Sequence, residues 1–85
     1  MKIFEIYNEN LKETFYVHSL FDFCKFNDLT ERLLRYTHPK LKEIHDKDNS
    51  VRWQPYHKGF KIVREFNDNK IVKASKGNTH VYYIV

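Results

Sequence analysis

Residues 19–39, S-L-F-D-F-C-K-F-N-D-L-T-E-R-L-L-R-Y-T-H-P, carry the pattern around which the rest of the chain is arranged. Ser19 is a helix N-cap residue, and Leu20, Phe23 and Cys24 follow at the spacing of one helical face. Asn27 and Asp28 interrupt that spacing, and both tolerate the left-handed backbone found at helix ends. Thr30 supplies a second N-cap, Glu31 places a negative charge in the first turn, and Leu33 and Leu34 face inward. Pro39 disfavours helical geometry at His38 and marks a stop. The stretch predicts two short helices with a tight break, the pattern of a helix-turn-helix.

Working outward, Lys2–Tyr7 and Glu13–His18 are rich in β-branched and aromatic residues, with Asn8-Glu9-Asn10 as turn chemistry between them. They predict an N-terminal β-hairpin in which Phe15 and Val17 share one face, with Tyr16 and His18 on the other. Downstream, Leu41 and Ile44 are spaced for a short helix starting at Pro39, and residues 45–50 are polar and turn-like. From Gly59 the period changes. F-K-I-V-R-E-F, K-I-V-K-A and T-H-V-Y-Y-I-V are three β-rich runs separated by short polar loops, which predicts a C-terminal antiparallel β-meander. The expected fold class is α+β in the order ββααβββ: hairpin, helix-turn-helix, meander, with the helices packed on an antiparallel sheet.

Eighty-five residues allow one domain, 1–85, with one modest core. The aromatic share is 16%, whereas disordered chains are poor in aromatics. Cys24 is the only cysteine, so neither an intramolecular disulfide nor a cysteine-based zinc cluster can form. No apolar run approaches the roughly 20 residues of a membrane helix, and no signal-peptide pattern follows Met1. The expected compartment is the cytoplasm, and the host cytoplasm if the chain is phage-encoded.

Charge is unevenly placed. Residues 1–31 hold three lysines against six acids, a balance of −3, whereas residues 32–85 hold twelve Lys or Arg against five acids, a balance of +7. A basic half of this kind favours a polyanion or an acidic protein surface as partner.

Catalytic chemistry finds little support. His38, His45 and His57 have neither metalloprotease nor zinc-finger spacing. An H-N-H nuclease built from His38, Asn49 and His57 would need a ββα hairpin where the sequence predicts helix and loop. Asp46-x-Asp48-x-Ser50 opens like a calcium loop, but Val51 stands where glycine is needed and His57 where glutamate is needed. Cys24 lies on an apolar helix face, the setting of a structural cysteine. Gly59 and Gly77 are the only glycines, so there is no Gly-rich phosphate loop. The reading is a non-catalytic protein with no metal and no cofactor.

Binding is better supported. Arg32 and Arg35 are three residues apart and so share one helix face. In a helix-turn-helix the early residues of the second helix reach base edges in the major groove, and arginine is the commonest reader of guanine. Thr30, Glu31, Arg32 and Arg35 occupy those positions, and Lys40 and Lys42 continue toward the phosphates. Arg52, Lys58 and Lys61, with Gln54 and His57, supply a second surface on double-stranded DNA. Trp53 and Tyr56, interleaved with these cations, are core aromatics or anchors of a protein interface.

F-Y-V-H-S-L-F-D-F-C-K-F-N-D-L followed by H-K-G-F-K-I-V resembles the NUMOD-type helix-turn-helix modules appended to phage and intron homing endonucleases. The strongest pieces are residues 23–29 and His57-Lys58-Gly59-Phe60, and the resemblance covers Phe15 to Val63. It implies an extended strand, two helices, a basic loop, then a strand after H-K-G, with Arg32, Arg35 and Tyr36 at DNA and a phage origin. The chain departs from those modules in two ways. Its link from Thr37 to Tyr56 is longer and lacks glycine, and no GIY-YIG or H-N-H motif accompanies it. The expectation is a small phage-type DNA-binding protein. The alternative is a host-takeover protein that occupies and inhibits an acidic host protein surface in transcription, defence or metabolism. Single-stranded RNA is a third option, requiring exposed Tyr16 or Tyr82 on the sheet.

Overall fold

The computed structural model of the chain describes residues 2–67 and the backbone of residues 80–83. Strands β1 (Lys2–Asn8) and β2 (Glu13–Val17) form the expected hairpin, with Phe4 opposite Val17 and Ile6 opposite Phe15. The buried Asn8 fixes the turn by accepting a 2.8 Å hydrogen bond from the Leu11 amide at its Oδ1.

Helix α1 (Leu20–Phe26) begins where Ser19 Oγ accepts from the Asp22 amide at 3.1 Å. It buries Leu20, Phe23 and Cys24 as their spacing requires. Asp28, at φ +55°, takes the left-handed turn that ends it. Helix α2 (Glu31–Arg35) buries Leu34 completely and leaves Leu33 half-buried. Helix α3 (Pro39–Lys47) starts with Pro39 in its first turn, and His38 Nδ1 accepts from the Lys40 amide at 3.0 Å. None of its residues is buried.

Strand β3 (Phe60–Asn67) runs antiparallel beside β1, with a register shift between Glu5 and Ile6. The last described strand, β4 (His80–Tyr83), lies parallel to β2. The sheet order is β3-β1-β2-β4. Alternate residues of the first three strands project to one face: Phe4 and Ile6, Phe15 and Val17, Phe60 and Ile62. Leu20, Phe23, Cys24 and Leu34 complete that core from the helices. Phe15, Phe23 and Phe60 form an aromatic triangle with ring centroids 5.4–6.1 Å apart, in the range favoured by tilted and edge-on pairs.

The α+β class agrees with the sequence reading, but the C-terminal meander does not. β3 joins β1 and β4 joins β2, so the two lie on opposite edges of the hairpin rather than side by side. Loop length suggested neighbours; the free edge of β1 beneath the helices decided otherwise, because only there do Phe60 and Ile62 reach the core. The run Lys70–Ala74 lies outside the described residues. The third helix, absent from the order ββααβββ, follows the Pro39, Leu41, Ile44 pattern. Tyr16, on the opposite face of β2 from Phe15 and Val17, is also buried, so it is not the exposed ring that the single-stranded RNA option requires. Among the described residues, no helix is long and apolar enough to cross a membrane.

Candidate nucleic-acid interface

α2 has five residues, too few to persist in water on its own. What holds it is a clamp from the other end of the chain. At its N-terminus the Thr30 side chain makes no capping bond; instead the Thr30 backbone amide donates to His57 Nε2 at 3.0 Å. Because Nε2 accepts, the neutral ring carries its proton on Nδ1. Burial, and then the charge of neighbouring Lys58, lower the pKa of His57 and keep it in that accepting form. At the C-terminus of α2, buried Thr37 donates from Oγ1 to the Leu34 carbonyl at 2.6 Å and accepts from the Ile62 amide at 2.8 Å. One hydroxyl therefore caps the helix and satisfies a donor on the outer edge of β3. Between these points Gln54 Nε2 donates to the Leu33 carbonyl at 2.9 Å.

The His57-Lys58-Gly59 turn that carries the clamp has two consecutive left-handed residues, Lys58 at φ +51° and Gly59 at φ +85°. The φ of Gly59 is one that L side chains rarely adopt, and a Cβ there would also displace the Asn10 side-chain amide, 2.5 Å away; the turn nests against the hairpin, where the Glu9 amide donates to the Gly59 carbonyl at 2.8 Å. Lys58 reaches the opposite way. Its Nζ donates to the Asp28 carbonyl at 3.0 Å, with the Asp28 carboxylate 3.8 Å away. The H-K-G motif thus locks the break between α1 and α2 from two sides.

With its inner side fixed, α2 turns Thr30, Arg32 and Arg35 outward. Arg32 is exposed and makes no ion pair among the described residues. Arg35 is committed: its guanidinium pairs with Glu31 at 2.7 Å and lies 5.8 Å from the centroid of the Phe4 ring, roofing a core residue. The two arginines share a helix but not a role.

The remaining predicted residues gather around α3 and the 48–56 loop. Arg52 lies over the Tyr36 ring at 5.5 Å, Lys42 over Trp53 at 5.5 Å, and Lys61 over Tyr56 at 5.3 Å. His45 of α3 also neighbours Trp53, with ring centroids 6.1 Å apart. Lys42, Trp53, Tyr56 and Lys61 line one open groove of about 330 Å³, walled by Pro39, Pro55 and Val63. Lys42 also pairs with Asp46 at 3.0 Å, and the Tyr56 hydroxyl donates to Glu9 at 3.3 Å. Partial burial, and then the Glu9 carboxylate, push the Tyr56 phenol up from its ordinary pKa. Lys40 stands apart, beside a second hollow with His38, Glu43, Arg64 and Glu65.

The predicted residues therefore do not form one surface: Thr30, Arg32 and Arg35 are on α2, Lys58 is in the clamp, Lys42, Trp53, Tyr56 and Lys61 line the groove, Arg52 lies over Tyr36, and Lys40 stands at the second hollow. Sequence reasoning missed His57 and Thr37 as the residues that position α2. The H-K-G motif was the available signal for the first; nothing local signals the second. Cys24 is buried against the core, and burial raises its thiol pKa to about 11, far from a nucleophile's range. Among the described residues, no three His, Cys, Asp or Glu side chains converge as metal ligands would. Compared with protein-family profiles, curated proteins and solved structures, the chain matches none.

Proposed function

We propose that this chain is a non-catalytic double-stranded DNA-binding protein of helix-turn-helix type, with α2 as the element that enters the major groove. The observation that carries the reading is the clamp on α2. A helix of this length is fixed at both ends, by His57 and by Thr37, with its apolar side sunk in the core and Arg32 held outward and unpaired. Preorganising one exposed arginine on a short helix is what readout of a base edge requires. Lys40 and Arg52 supply the phosphate contacts that flank it. The reading agrees with the resemblance of residues 15–63 to NUMOD-type modules.

The test is selection of bound sequences from a random duplex pool, followed by fluorescence anisotropy on the enriched site. The native protein enriches a site and loses affinity steeply with salt, while Arg32→Ala binds all duplexes alike and weakly. Failure to enrich any sequence, with weak and salt-insensitive duplex binding, overturns the reading.

A second reading, occupation of a host protein surface, is favoured by Phe21 and Phe26. These side chains, near the start and at the end of α1, are 64% and 75% exposed. A partner from host lysate that survives nuclease treatment and is lost with Phe26→Ser supports this second reading.

A further inference from the structure

The groove between α3, the 52–56 loop and β3 has a composition that duplex binding by α2 does not use. Its walls are aromatic and proline surface from Trp53, Tyr56, Pro39 and Pro55, and its charged lining residues are both lysines, Lys42 and Lys61. Among the described residues no carboxylate lines it; Asp46 and Glu9 touch Lys42 and the Tyr56 hydroxyl from outside the lining. Lys61 makes no ion pair among the described residues. Thr37, which caps α2, is part of the same wall, so the groove continues from the end of the proposed reading helix.

We infer that this groove is a single-strand site that takes an unpaired nucleotide, its base against Trp53 or Tyr56 and its phosphate at Lys61 and Lys42. The inference extends the nucleic-acid reading of α2 to a second, separable site. A flat aromatic body bearing an anion fits this lining on both counts. Stacking on exposed aromatic rings beside a cationic track is how sequence-tolerant single-strand sites are built. In the free protein each ring is already covered by its own lysine, at 5.5 Å for Trp53 and 5.3 Å for Tyr56. A base sliding onto the ring displaces the ammonium, which moves the short distance to the phosphate of the same nucleotide. The lysines thus keep two aromatic faces covered until a ligand with both features replaces them.

Trp53 is the only tryptophan, so its fluorescence reports on the groove alone. The experiment titrates the full chain with an eight-residue oligothymidylate, with a duplex of the same length and with polyglutamate, and follows duplex affinity separately by anisotropy. The expected result is quenching of Trp53 by oligothymidylate and little by polyglutamate. Tyr56→Leu weakens the single-strand affinity about tenfold, and Lys61→Ala lowers the salt slope by about one. Circular dichroism confirms that both variants fold, and the native titration decides the matter even where one does not. Arg32→Ala retains the quenching while losing duplex discrimination. No quenching by oligothymidylate at concentrations where the duplex is saturated overturns the groove proposal and leaves the α2 reading standing. Equal quenching by polyglutamate also overturns it, in favour of an acidic polypeptide. Quenching by oligothymidylate without any duplex binding upholds the groove and removes the α2 reading.

Discussion

Helices α2 and α3 are neighbours in sequence, yet they are held in opposite ways. α2 has five residues and depends on the rest of the molecule: Leu34 in the core, His57 and Thr37 at its ends, Gln54 along its flank. α3 has nine residues, none of them buried, and is stabilised from within. Its means are Pro39 in the first turn, the His38 cap and the Lys42–Asp46 pair one turn apart. The difference teaches that the shorter helix is the more rigidly placed. Its geometry is set by tertiary contacts to the sheet and the His57 turn, whereas the cap and ion pair of α3 are local to its own sequence.

The largest effect expected of this contrast is on stability. Leu34→Ala should cost about 2–5 kcal/mol in urea denaturation, because Leu34 is fully buried. Ile44→Ala on α3, at 47% exposure, should stay within about 0.5 kcal/mol. Equal losses at the two positions would dissolve the distinction. Thr37→Val comes next. It keeps the shape but leaves the Ile62 amide buried without an acceptor, at about 1–3 kcal/mol, and hydrogen exchange at Ile62 and Leu34 should accelerate together.

The clamp at the other end responds to pH. Folding lowers the pKa of His57, so the folded state binds fewer protons than the unfolded one. Stability conferred by His57 is therefore complete above the ordinary histidine value of 6.5 and declines as pH falls through that value toward the lower folded pKa. Thermal melts from pH 8 downward should show the decline beginning at about pH 6.5, and His57→Gln should remove it. An unchanged slope in that variant would assign the titration to another histidine. The smallest effects belong to charges at the surface. Arg35→Ala should lower stability by about 0.5–1 kcal/mol through loss of its cover over Phe4. Arg32→Ala should leave the melting temperature unchanged and act only on DNA affinity. Lys42→Ala, exposed on α3, should cost no more than about 0.5 kcal/mol.

What the sequence made legible was what depends on neighbours along the chain. Ser19, Asn27, Asp28, Thr30 and Pro39 mark helix ends through their own backbone preferences, and all five stand where the helices begin or stop. The β-branched and aromatic runs Lys2–Tyr7 and Glu13–His18, with turn residues between them, marked the hairpin for the same reason. Strand order was not legible, since β3 and β4 select their partners by which hairpin edge can receive Phe60 and Ile62 under the helices. In the candidate site, the outward position of Arg32 followed from helical spacing. The engagement of Arg35 with Phe4, and of Lys42 and Lys61 with aromatic rings, arises between segments far apart in sequence. No spacing rule reaches that far. Lys58 shows both sides: its motif was visible, but its left-handed backbone and its grip on Asp28 were not.

The pairing of β1 with β3 has a consequence for how the protein comes into being. The pairing spans a separation such as that between Glu5 and Arg64, 59 residues, in a chain of 85. Contacts this distant make loop closure the slow part of folding. They also fix an order of events during synthesis. Until His57 and then β3 have left the ribosome, α2 has neither its clamp nor its floor, and a chain of its length does not hold a helix unaided. The arginine proposed to meet DNA is thus displayed only after most of the polypeptide is made, so incomplete products present no reading helix.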